Sequence, residues 1–121
     1  MPRLRWRAIV AGVALAAAIS LVSAAALPPI PAAVASFFGI FVSGILAGIL
    51  ASAARLYHGA VVGVGYVLCE AVGLVPGAIV GPDALSDTVA VIATDALRIA
   101  LAALGGWSAG LWSSLGRGRG R

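Results

Sequence analysis

The sequence predicts an all-α, polytopic transmembrane bundle of four helices with the N- and C-termini both cytoplasmic. Three observations carry that expectation. Of the 121 residues, 62% are hydrophobic and only 10% charged, whereas a soluble domain charges roughly a quarter of its positions. A soluble chain this small would also lack the interior to hide so much apolar surface. Apolar stretches long enough to cross a bilayer recur at 8–27, 32–54, 59–80 and 88–112. The arginines, finally, sort by side. Arg3, Arg5, Arg7, Arg55, Arg117, Arg119 and Arg121 flank the N-terminus, the second link and the C-terminus, and the other two links contain no Arg or Lys. Basic residues gather on the cytoplasmic side of membrane proteins, so an even number of spans follows. The chain reads as one transmembrane domain over 1–121, multi-pass in the cell membrane.

The first stretch, AIVAGVALAAAISLVSAAAL at 8–27, follows the basic leader MPRLRWR. A basic start, an alanine-rich run and small residues at 22–26 also describe a signal peptide. The retained-helix reading is preferred because the arginine distribution closes with four spans. Pro28, Pro29 and Pro31 then end the helix and make a turn.

In the second stretch Ala35, Gly39, Ser43, Ala47 and Ala51 fall four apart, with Gly44, Gly48 and Ser52 in a row beside them. Small residues at this spacing make a strip against which another backbone approaches closely. Gly39, Ser43, Gly44 and Gly48 are the packing candidates, and Phe38, Phe41, Ile45 and Ile49 are expected to face lipid. Arg55, Tyr57 and His58 suit an interfacial turn. A lone histidine lacks the second ligand of a metal site, so His58 is read as facing headgroups.

The third stretch, GAVVGVGYVLCEAVGLVPGAIVG at 59–81, places Gly59, Gly63, Tyr66, Glu70, Gly73 and Gly77 on one helical face. Gly59, Gly63, Gly73 and Gly77 are read as packing residues. Val61, Val64, Leu68, Val72, Val75 and Ile79 lie on the opposite side and suit lipid. A short acidic link, with Ser86 or Asp87 as a cap, leads to the last helix. Trp107 and Trp112 suit an exit interface, Gly105-Gly106 is a candidate weak point, and 116–121 is expected to be disordered.

Glu70, Asp95 and Arg98 fall within the apolar thickness. Counting along ideal helices from the span ends, Glu70 lies roughly 17 Å deep, Asp95 roughly 11 Å and Arg98 roughly 15 Å from the opposite side. These depths suit a shared buried cluster in which Arg98 compensates one or both carboxylates. No phosphate loop, HExxH or GxSxG motif occurs, and Ser20, Ser23 and Ser43 have no matching base. No catalytic residue, cofactor or metal is expected, and an enzyme is not. Cys69 stands alone and reads as packing. The basic clusters border apolar segments, which suits anionic headgroups and argues against nucleic acid.

FFGIFVSGILAG at 37–48, an arginine-bearing turn and HGAVVGVGY at 58–66 together resemble the small-residue pattern of a family of glycine-rich haloarchaeal membrane proteins with no assigned activity. The likeness covers about 8–80 and implies an architecture, with no site residues. Four spans in a chain of this size also resemble the small multidrug-resistance transporters. Their membrane glutamate belongs to the first helix, however, and Glu70 belongs to the third. The leading functional expectation is a non-catalytic membrane component that packs with copies of itself or with a partner subunit in the bilayer. The alternative is a small proton- or ion-coupled transporter or channel using Glu70, Asp95 and Arg98.

Overall fold

In lipid every backbone polar group needs an internal partner, which favours helices. The computed structural model of the protein describes residues 3–76 and 84–118, without the side chains of 84–87 and 117. It forms α1 (Trp6–Ala26), α2 (Pro29–Ala51), α3 (Arg55–Ala71) and α4 (Ala84–Gly118). Among the described residues three segments are long and apolar enough to cross a membrane: Trp6–Ala26, Pro29–Ala51 and Thr88–Gly116. The chain is therefore a multi-pass membrane helical bundle.

Contacts fix the chain directions. At one end the Arg5 backbone N–H donates to His58 Nε2 (3.1 Å), the Arg5 side chain reaches the Leu50 carbonyl, and Arg55 Nη1 donates to Ser113 Oγ (2.8 Å). Farther along, Ser20 meets both Ser36 and Tyr66. Successive helices thus alternate in direction. The N-terminal arginines, the α2–α3 junction and the C-terminal part of α4 share one end. Among the described residues α1 packs on α2 and α3 but not on α4, so α2 and α3 form the middle of the bundle.

The prolines do not make the expected loop. Pro28 is the N-cap of α2 and Pro29 opens it, because the first helical position needs no N–H and favours a fixed φ. The 23-residue α2 accordingly starts before position 32, and it ends at Ala51 instead of 54. Ser52 (φ 59°) and Ala54 (φ 50°) are left-handed and turn the chain into α3. α4 passes through Gly105-Gly106 without a break and reaches Gly118, so 116–118 are helical. The remainder of the expected tail, 119–121, lies outside the described residues.

The largest departure is in α3. The expected helix over 59–80 stops at Ala71, leaving 17 residues. The Leu74 N–H bonds the Cys69 carbonyl (2.9 Å) and the Gly73 N–H bonds the Glu70 carbonyl (3.0 Å). Together they form a Schellman cap with Gly73 as its left-handed residue, at φ +77°. Gly73 meets no neighbour within 4 Å of an added Cβ, so its role is to stop the helix and not to pack one. Val75 then folds inward into the core with Ala16, Ile40, Tyr66 and Ala102, instead of facing lipid. Gly77 and Ile79 lie outside the described residues.

The other packing candidates sort by neighbour. A Cβ at Gly39 would meet Ile19 of α1 at 2.5 Å, and the Ser43 hydroxyl donates back to the Gly39 carbonyl (2.7 Å) within α2. Gly44 would press on the Ala102 carbonyl of α4, and Gly48 would come 2.7 Å from the Gly106 carbonyl. On α3, Gly59 lies against Ala102 and Gly106, and a Cβ at Gly63 would stand 2.7 Å from Ile99 Cα. α4 therefore sits in a cradle of glycines from α2 and α3, where backbone replaces side chain at the contact.

Candidate functional site

Close approach of α3 and α4 puts long polar side chains of both helices in one apolar slab, where each needs a partner. Arg98 projects from α4 and is buried at 7% exposure. Its Nη1 is ion-paired with Glu70 Oε2 on α3, and the same nitrogen lies 3.3 Å from Asp95 Oδ1, one turn back on α4. The structure thus brings Glu70, Asp95 and Arg98 together. The two carboxylates are held differently. Glu70 is shielded, with its side chain 10% exposed, whereas Asp95 is longer in contact and 27% exposed.

Two aromatic rings complete the setting. The Arg98 guanidinium carbon stands 5.5 Å from the centre of the Phe37 ring and 5.6 Å from that of Tyr66, within cation–π range. Tyr66 is fully buried, and its hydroxyl enters a three-membered ring of hydroxyls. Ser20 and Tyr66 are 2.6 Å apart, Ser20 and Ser36 2.7 Å, and Ser36 and Tyr66 3.1 Å. Each hydroxyl can donate once and accept once, so the ring closes on itself. It ties α1, α2 and α3 together beside the ion pairs.

Sequence reasoning missed Phe37, Ser20 and Ser36 as parts of this site. Phe37 lies one position from the expected lipid-facing Phe38, which is indeed exposed. A serine in each of the two helices preceding Tyr66 was a usable signal, since buried hydroxyls seek partners. His58 departs from its expected place as well. It is 1% exposed, with Nε2 accepting from the Arg5 N–H and Nδ1–H donating to the Ala54 carbonyl (3.0 Å). Those partners specify the neutral Nδ1–H tautomer, and the ring seats the N-terminus of α1 on α3.

The cluster has a simple charge count. Two carboxylates face one guanidinium, and the sequence contains no other Arg or Lys between Arg55 and Arg117. With both carboxylates ionised the cluster carries one surplus negative charge inside the apolar slab. Such a group can accept a proton or a small cation. Among the described residues no group of three His, Cys, Asp or Glu side chains gathers as for a metal ion.

Comparison of the chain with protein-family models, curated proteins and solved structures gave no match. The likeness to the haloarchaeal family gains no support there, and the site is read from its own geometry.

Proposed function

We propose that the chain is a small proton- or cation-coupled membrane transport protein in which Glu70, Arg98 and Asp95 take up and release one positive charge. The carrying observation is the unequal sharing of Arg98, tight to Glu70 and 3.3 Å from the more exposed Asp95. Glu70 and Arg98 form the neutral pair, and Asp95 is the exchangeable site. Uptake of a proton at an Asp95 oxygen, or of a monovalent cation beside it, removes the surplus charge and frees Arg98 to turn wholly toward Glu70. Release restores the shared arrangement. An ionisable carboxylate at this depth is costly and marks an ion or proton path by default.

Glu70 stands one residue before the end of α3, where Val72 and Leu74 of the stop are exposed. By the positive-inside rule, the arginine-rich end and both termini face the cytoplasm.

The test is flux in proteoliposomes under an imposed proton or monovalent-cation gradient. Wild-type protein should dissipate at least one such gradient, and Asp95→Asn should abolish flux while remaining folded and inserted. Absence of flux from intact wild-type protein across protons, sodium and potassium would defeat the proposal. The second reading, a non-catalytic packing component that assembles with its own copies or a partner subunit, draws on the glycine cradle around α4. It predicts that Asp95→Asn changes self-association and no flux.

A further inference from the structure

The molecule has a second charged feature, at the opposite end from the carboxylates. A groove of about 500 Å³ opens there, lined by Ser52, Arg55, Tyr57, Trp107, Gly110 and Leu111. Arg55 is half-buried in its wall. Gly110 lies beneath it, and an added Cβ there would stand 3.3 Å from Arg55 Nη1. Nη1 is engaged by the neutral Ser113 hydroxyl, and Nε is buried without a partner. Among the described residues no carboxylate pairs with Arg55: Glu70 stands at the far end of α3 and Asp95 in the opposite half of α4.

Among the described residues Arg55 thus has no counter-charge, and an anion from outside the chain can supply one. α3 begins at this same groove, with Ala54 as a cap that offers no side-chain bond and no acidic residue in its first turn. Its first amides and positive dipole end add to the field of Arg55. The walls are not those of a site for a free ion. Trp107, Tyr57 and Leu111 are about half exposed, and Leu56 and Leu104 extend the apolar flank. Indole and phenol rings beside an arginine mark the headgroup level of a bilayer.

We propose that this groove binds an anionic phospholipid, its phosphate at Arg55 and the start of α3, and an acyl chain along Trp107 and Leu111. The site rests on membrane insertion alone and is independent of charge exchange at Asp95. A second cleft lined by Arg5, Trp6, Arg7 and Leu50 provides an internal control on the same end of the bundle.

The full chain in nanodiscs of mixed phosphatidylglycerol and phosphatidylcholine, released for native mass spectrometry, tests the site. Wild-type protein should retain one phosphatidylglycerol in preference to phosphatidylcholine by about fivefold or more. Arg55→Gln should lose that preference, Arg55→Lys should keep part of it, and Arg7→Gln should leave it unchanged. Trp107→Ala removes an exposed wall without touching the core and should weaken retention even if Arg55→Gln proves unfolded by circular dichroism. No preference in wild type would overturn the site. Equal losses from Arg7→Gln and Arg55→Gln would replace it with diffuse surface attraction. Displacement of the lipid by millimolar inorganic phosphate would make it a free-phosphate site and equally overturn the assignment.

Discussion

Arg98 stands over the ring of Tyr66, its guanidinium carbon 5.6 Å from the ring centre. One side chain therefore belongs to two networks, since the same Tyr66 closes the hydroxyl ring with Ser20 and Ser36. Tyr66→Phe keeps the ring beneath Arg98 and removes only the hydroxyl. It should cost about 0.5–1.5 kcal/mol. Tyr66→Leu loses the π face as well and should cost more, by about 1 kcal/mol. Unfolding in bicelles by steric trapping measures both, and equal losses would show that the cation–π contact contributes nothing.

Removing Arg98 leaves carboxylates buried without their cation. Arg98→Leu should destabilise the bundle by about 3–5 kcal/mol, although a well-packed apolar replacement of the whole cluster need not. Adding Glu70→Gln to Arg98→Leu should restore part of the loss, and a double-mutant cycle measures how much. Strict additivity of the two losses would leave the pair uncoupled in energy despite its contact.

Gly63 within α3 and Gly73 just beyond its end should respond to alanine for opposite reasons. At Gly73 there is open space, so Gly73→Ala pays only for a left-handed backbone, about 1–2 kcal/mol. At Gly63 the backbone is ordinary, but a Cβ would stand 2.7 Å from Ile99 Cα. Gly63→Ala should force α3 and α4 apart and weaken the Arg98–Glu70 pair with them. Disulfide crosslinking between cysteines placed on α3 and α4 of a Cys69→Ser background should slow in Gly63→Ala and stay fast in Gly73→Ala.

Orientation can be read by accessibility. In the Cys69→Ser background, Ser52→Cys marks the arginine-rich end and Ile30→Cys the other. Membrane-impermeant maleimide should label Ile30→Cys in intact cells and Ser52→Cys only after permeabilisation. The reverse pattern would place the arginines outside.

The contents of the bundle were legible in the sequence wherever spacing and depth decide them. Glu70, Asp95 and Arg98 stand out because ionisable residues are rare in such stretches, and helical rise alone puts them at similar depths. Glycine spacing pointed to seams at Gly44, Gly48, Gly59 and Gly63, each of which now faces the backbone or a small side chain of α4. The same spacing misled at Gly73. A packing glycine and a stopping glycine look alike in a periodic pattern, and only Pro76 three residues later hinted at the stop. Phe37 and the serines were hidden because their roles depend on which faces of α1 and α2 turn inward. No single helix records that. His58 was misplaced because polarity near a span end suggests headgroups, while its two hydrogen bonds make burial tolerable.

The early stop of α3 also ties the site to the thickness of the host bilayer. Seventeen helical residues rise only about 25 Å, short of a hydrocarbon core of about 30 Å. The neighbouring α1 and α2, at 21 and 23 residues, match such a core, so the bundle presents unequal hydrophobic lengths to the same lipid. The leaflet beside the end of α3 thins to meet the shorter helix, and that adjustment brings headgroups and water nearer to Glu70 and Asp95. Short-chain lipids relieve that demand and long-chain lipids sharpen it, so acyl length acts on the exposure of the charge cluster without any ligand binding to it.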